Sequence, residues 1–266
     1  MTDQTLNDVL AQATESNDEI TYPAPENWRQ GRTAYGGFTA ALLLDATRRA
    51  HPDLPPLRSM LVDFTAPVTD APSISTEVLR AGRNVTTINT RAMVGGGVAA
   101  QATLAFGAAQ NSELRVDCPA PEALAPEDTE PFFPPNMTRA PVRFFDNFEV
   151  RLIAGARPFS GATRGYARVW ARHRDPAARG GIVPLICMAD LLPPAAFPML
   201  KTIGPNSSIT WICNILTETT QSGDGWCMIE TDLTAARDGY STQVMRMWNR
   251  DGELVAEGMQ SVIIFV

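Results

Sequence analysis

The chain has 266 residues, 44% of them apolar and 19% charged, with a formal net charge of −7. That supplies a core for one large domain or two ordinary ones, and an acidic chain lacks the basic face that nucleic-acid binding needs. Two His and one Lys, Lys201, leave no material for a His-rich metal centre and very little for amine chemistry.

The first 20 residues are polar and acidic, without the basic and apolar stretches of a signal peptide. No apolar run reaches the roughly 18 residues that cross a bilayer. The expected location is therefore cytoplasmic, with Cys118, Cys187, Cys213 and Cys227 as reduced thiols packed mostly like small hydrophobes. A glycine-ended loop, WRQGRTAYGG, leads into FTAALLLDATRRAHP. From 38 to 46 this segment is apolar almost all round, with Arg48 and Arg49 near its end and Pro52 as its stop. A helix apolar on every side is buried on every side, and this one is too short for a membrane. Four strands follow, at 59–65, 73–79, 86–94 and 98–106, with Gly82-Arg83-Asn84 and Gly95-Gly96-Gly97 among the turns. The simplest packing is a curved antiparallel sheet around the helix.

Seven prolines between 111 and 141 make that stretch a linker. Strands are then expected at 144–153 and 164–172. Gly180-Gly181 opens a second apolar helix, IVPLICMADLL, which meets Pro193-Pro194. Further strands fall at 207–216, 226–233, 240–249 and 254–266, with Arg250-Asp251-Gly252 as a hairpin turn. The two halves share an element order, which reads as a duplication with units 1–110 and 142–266. Asp45 follows the second glycine of its Gly-Gly pair by eight residues, and Asp190 follows its own by nine. His51 and His173 both read as surface residues.

On GRTAYGGFTAALLLDA, PLRSMLVDFTAPV, EVLRAGRNVTT, ICMADLLPPA, SSITWICNIL and RDGELVAEGMQS, over about residues 25–266, the chain resembles the acyl-CoA thioesterase II group and its thioesterase-like relatives. The resemblance implies an α+β double hotdog: two long antiparallel sheets, each wrapped around a central apolar helix. It implies catalytic residues Asp190, Ser208 and Gln260, all from the second half, and leaves Ser207 open as the alternative hydroxyl. It also implies an acyl-CoA substrate and a homo-oligomer, with no cofactor and no metal. Where the family commonly has an Asp-His pair, this chain reads Thr210-Trp211.

Those residues suit thioester hydrolysis by water. A carboxylate among Ile186, Cys187, Met188, Leu191 and Leu192 is desolvated, which raises its pKa and makes it a better base. Ser208 and Gln260 are placed to orient a water held by Asp190. Backbone N–H groups at a helix start, with Gly36, Gly37 and Phe38 as the substrate-binding turn, serve the oxyanion. Asp45 reads as structural or a relic, because Leu104 or its neighbours stand where Gln260 stands in the second half. Arg80, Arg83 and Arg91 are the candidates for the CoA phosphates. Two readings compete: a non-catalytic acyl-binding or assembly protein, and a hotdog dehydratase or hydratase. The last ranks lowest, since neither His sits beside a suitable carboxylate on a buried helix.

Overall fold

The computed structural model describes residues 3–134, 137, 142–217 and 223–266. A capped helix, α1 (Leu6–Ala11), opens the chain, its Thr5 hydroxyl accepting from the Asp8 N–H while the Asp8 carboxylate accepts from the Thr5 N–H. A short hairpin follows, β1 (Thr14–Ser16) and β2 (Glu19–Thr21), then a two-stranded ribbon, β3 (Arg29–Gln30) and β4 (Thr33–Ala34). Helix α2 (Gly36–Ala50) comes next, then strands β5 (Leu57–Phe64), β6 (Ser73–Ala81), β7 (Thr86–Val94) and β8 (Gly97–Phe106). The second half holds β9 (Phe148–Gly155), β10 (Tyr166–His173), helix α3 (Ile182–Ala189), β11 (Asn206–Ile215), β12 (Cys227–Arg237), β13 (Tyr240–Asn249) and β14 (Leu254–Ile264).

The expectation of two separate sheets is corrected. All strands except β3 and β4 form one sheet of 12, in the order β1-β2-β6-β7-β8-β5-β11-β14-β13-β12-β10-β9. The joint is the antiparallel pair β5–β11, where Val62 faces Trp211 and Leu61 faces Ile212. Each half would otherwise leave one long strand with a row of unpaired backbone groups, and pairing them with each other satisfies both. Outward from the joint the order is β5-β8-β7-β6-β2-β1 on one side and β11-β14-β13-β12-β10-β9 on the other. At one outer end β1 is only three residues long. At the other, the edge of β9 is covered by the segment before it: Phe132 N–H donates to Val150, and Leu152 N–H to Glu130. The β9 edge is thus covered, whereas β2 pairs only with Ser73–Ser75 of β6 and leaves the rest of that strand at the edge.

Helix α2 lies against β6, β7 and β8 and packs on α3. Ten of its 15 residues are buried, on all sides, as its composition requires. Gly95 and Gly96, both at positive φ, turn β7 into β8, the two-residue connection that suits hairpin twist. Two expectations shift at the start of the second half. Residues 143–147 form a 3-10 turn, because Phe144 and Phe145 pack as a stacked aromatic pair, so the strand begins only at Phe148. His173 is buried rather than exposed: it ends β10 beneath α3, with Nε2 2.9 Å from the Pro184 carbonyl and its ring against Phe148. Burial lowers its pKa to about 4, so it stays neutral. His51 is half-buried, with Nε2 3.1 Å from the Thr76 hydroxyl.

The proline-rich stretch lies on the second half as far as it is described; Pro135, Asn136 and residues 138–141 fall outside the described residues. The Cys118 carbonyl accepts from the Trp248 indole and the Leu124 carbonyl from the Trp170 indole, each at 2.9 Å. Trp170, Trp226, Met228 and Trp248 form a cluster beneath it. A tryptophan buried on a sheet face needs both apolar cover and a partner for its N–H, and this segment supplies both. Among the described residues, no helix is long and apolar enough to cross a membrane. Cys187, Cys213 and Cys227 are buried, and Cys118 is exposed.

Candidate active site

The site forms where the end of α3 meets the start of α2. Helix α3 stops at Ala189, shortly before Pro193-Pro194, so Asp190 is its C-cap rather than an interior residue. A carboxylate at a helix C-terminus faces the wrong end of the dipole. Here the chain turns Asp190 inward against the N-terminus of α2, where the Gly37 N–H donates to its carboxylate. The approach is close enough to require glycine. A Cβ on Gly36 would lie 2.6 Å from Asp190 Oδ2 and 3.2 Å from Phe64 Cζ. A Cβ on Gly37 would lie 2.3 Å from the Cys187 carbonyl oxygen. That carbonyl also accepts from the Tyr35 hydroxyl at 2.9 Å, tying the start of α2 to α3.

The sheet delivers the other partners. Gln260 on β14 faces Trp211 on β11 and Gln243 on β13. Its Nε2 donates to Asp190 Oδ1 at 2.7 Å and to Ser208 Oγ at 3.1 Å. The structure therefore brings Asp190, Ser208 and Gln260 together. Ser207 points the other way, its hydroxyl donating to the Ser208 carbonyl on the exposed face. A register shift between Ser208 and Thr210 lets Ser208 share the inner face with Trp211 three residues on. Ser208 Oγ accepts from Gln260, which leaves its own O–H free to aim elsewhere.

Asp190 is 8% exposed, and burial lifts its pKa from 3.8 to about 7 against the opposing bonds from Gln260 and Gly37. Tyr35, Cys187 and Cys213 stand around it, each pushed upward first by burial and then by the Asp190 charge. All three stay protonated near neutral pH. Among the described residues, Asp190 is thus a carboxylate in a neutral shell, with its pKa raised by burial toward neutral pH.

Other expected residues fall elsewhere. Phe38 is fully buried and stacked on Trp28 at 4.9 Å, so only its backbone can serve a substrate at the α2 turn. Asp45 accepts from Tyr22 at 2.7 Å and from Arg49 at 2.6 Å, a structural assignment that agrees with its reading from sequence. Arg80, Arg83 and Arg91 are exposed on β6, β7 and the turn between them, three or four strands from β11 in the sheet. Gln243 was missed. It is 1% exposed, it donates to Gln260 Oε1 at 2.9 Å, and it accepts from the Ala195 N–H at 2.6 Å. A signal was present: on β13 the inward positions are Ser241, Gln243, Met245 and Met247, a buried alternation interrupted by a carboxamide. Among the described residues, no cluster of His, Cys, Asp and Glu could hold a metal ion.

Two family models match the chain. Residues 24–107 match the acyl-CoA thioesterase N-terminal domain, and residues 118–264 match the acyl-CoA thioesterase C-terminal domain. Among solved structures, a hot dog fold protein of unknown function from Alicyclobacillus acidocaldarius superposes with a TM-score of 0.86 at 23% identity, over 100% of this chain and 99% of that one. The acyl-CoA thioesterase II TesB2 from Mycobacterium marinum gives 0.76 at 20% identity, over 98% of each chain. The tesB protein MAP1729c of Mycobacterium avium subs paratuberculosis gives 0.78 at 16%, over 98% of this chain and 100% of that one. No curated protein matches in sequence.

Proposed function

Since the chain belongs to the acyl-CoA thioesterase II-like hotdog family, we propose that it hydrolyses the thioester of an acyl-CoA with water activated by Asp190. The observation that carries this is one cluster: a buried carboxylate with a pKa near 7, bonded by a carboxamide that also bonds a hydroxyl. Ionised Asp190 removes a proton from a bound water as the water oxygen adds to the thioester carbonyl. Gln260 and Ser208 fix that water relative to the carboxylate. The first-turn N–H groups of α2 face the growing oxyanion. Gly37 already donates to Asp190, so Gly36 and Phe38 are the donors left for this role. Collapse expels the CoA thiolate, which recovers the proton held by Asp190, giving acid and thiol.

We also infer that the chain is a double hotdog of two copies, 1–110 and 142–266, joined by 111–141. Support comes from the strand order, which is the same outward from β5 as outward from β11. A single working site at the contact of the two helices explains why both copies are kept in one chain.

The test is thiol release from acyl-CoAs of graded chain length, followed with a chromogenic disulfide. The expected result is turnover by the native protein and its loss in Asp190→Asn. No turnover on any acyl-CoA, or turnover unchanged in Asp190→Asn, overturns the proposal and leaves non-catalytic acyl binding as the reading.

A further inference from the structure

We propose that Gln243 is a positioning residue that fixes which end of the Gln260 carboxamide faces Asp190. The proposal rests on the reading of Asp190 as the base. A carboxamide has nearly the same shape after a 180° flip, but its two ends are opposite in hydrogen bonding. Gln260 is 3% exposed, so no bulk water can repair a wrong choice. With Nε2 inward it serves two acceptors, Asp190 Oδ1 and Ser208 Oγ. With Oε1 inward it would set a carbonyl oxygen against a carboxylate.

Asp190 enforces the first orientation only while it is charged. Its titration lies in the working range, so for part of its population the carboxyl is protonated and equally able to donate to a flipped carbonyl. Ser208 imposes nothing, because a hydroxyl rotates to either role. The choice is made on the other side. Gln243 Nε2 donates to Gln260 Oε1 at 2.9 Å. Gln243 is itself a carboxamide, but its Oε1 accepts from the Ala195 backbone N–H at 2.6 Å. A backbone N–H can only donate. The direction therefore runs one way, from Ala195 through Gln243 and Gln260 to Asp190 and Ser208. The source of the direction is the segment after α3, where Ala195 presents the first N–H beyond Pro193-Pro194.

Two consequences follow. Gln260 stays poised to stabilise the ionised base through the whole proton cycle. Ser208 Oγ is held as an acceptor, which commits its own proton outward to the reacting water or carbonyl. Among the described residues, the titratable groups set against Asp190 are Tyr35 just before α2, Cys187 on α3 and Cys213 on β11, each pushed upward by burial and so neutral where Asp190 titrates.

The experiment reads the Asp190 titration directly. The carbonyl stretch of the protonated carboxyl is followed by infrared difference spectroscopy against Asp190→Asn, beside the pH profile of kcat/KM. Gln243→Met removes the donor to Gln260 with little change in volume. Gln243→Glu still receives the Ala195 N–H and, when ionised, replaces that donor by an acceptor, which favours the flip. Both variants are expected to move the Asp190 midpoint upward, by about one pH unit in Gln243→Met and further in Gln243→Glu. The kcat should fall while KM stays within twofold. Should one variant not fold, as judged by circular dichroism, the other carries the same reading. A midpoint within 0.2 units of native in the folded variants, whatever their melting temperature, overturns the proposal and makes Gln243 a packing residue. If the native protein hydrolyses nothing but its carboxyl still shifts with Gln243, the proposed function fails and the directed chain stands.

Discussion

The two halves hold corresponding rows of inward-facing residues, and the rows differ in polarity. In the second half the middle row across β11, β14 and β13 is Trp211, Gln260 and Gln243. Across β5, β8 and β7 the matching row is Val62, Ala102 and Thr90. Where the second half directs two carboxamides at a carboxylate, the first half has an alanine and a threonine, and Thr90 merely shares a 2.7 Å bond with Thr47 of α2. The helices differ in the same sense. Helix α2 runs on for five residues past Asp45, so Arg49 arrives one turn later to pair with it near the surface. Helix α3 ends at Ala189, so Asp190 has no such partner and turns into the core. A single difference in helix length separates a salt-bridged carboxylate from a desolvated one.

The strongest way to break this comparison is to neutralise the desolvated carboxylate. Asp190→Asn should lower kcat about a thousandfold, the range for losing a general base. Native kcat/KM should fall on the acid side with a midpoint near 7, because only the ionised carboxylate accepts the proton. Stability should move the opposite way. The folded pKa of Asp190 lies above its unfolded value of 3.8, so the native state gains from the neutral form below 3.8 and loses that gain as pH rises through about 7. Asp190→Asn should therefore gain on the native protein between pH 4 and 8, by an amount on the order of 4 kcal/mol at most. Urea unfolding across that range measures it. A flat difference would place the carboxylate in solvent, as Asp45 partly is.

Moving the carboxylate without removing it comes next. Gly36→Ala places a methyl 2.6 Å from Asp190 Oδ2, so the carboxylate must shift by several tenths of an ångström. The Gln260 bond lengthens and the oxyanion turn is crowded, for a loss of about a hundredfold in kcat. The same substitution at Gly95 strains a positive φ and costs some stability, but nothing lies within 4 Å of a Cβ there and kcat should stay unchanged. Ser208→Ala, which spares the carboxylate, should cost about tenfold, and Ser208→Thr should restore most of it by returning the hydroxyl. Steady-state kinetics on one acyl-CoA separate all four variants.

What the chain showed in advance divides along physical lines. Strands at 86–94 and 240–249 were legible to the residue, because alternation and glycine turns are local signals. Asp190 was legible through the family resemblance, to which an acid among apolar residues added a physical reason. Three things were not. The union of the sheets depends on β5 finding β11 almost 150 residues away. The burial of His173 depends on α3 lying over it. The role of Gln243 depends on the Ala195 N–H, nearly 50 residues off in sequence, which no pattern within a single strand reveals. The short hairpin β1–β2 also escaped notice, although Asn17 and Asp18 at positive φ form its turn. Its strands are too short for alternation to register.

The smallest effect expected is also the sharpest test of asymmetry. Thr90 stands in the first half where Gln243 stands in the second, fully buried, and it bonds only the hydroxyl of Thr47 among the side chains described. Thr47 keeps a second bond, its hydroxyl donating to the Leu43 carbonyl at 2.8 Å. Thr90→Val is nearly isosteric and removes one buried hydrogen bond without stranding its partner, so urea unfolding should report a loss of about 1 kcal/mol. Because no bond leads from Thr90 toward Asp190, kcat and its pH midpoint should stay at native values. If kcat fell as far as in Ser208→Ala, the row across β5, β8 and β7 would be part of the machinery. The two copies would then share the chemistry instead of dividing into a working half and a supporting one.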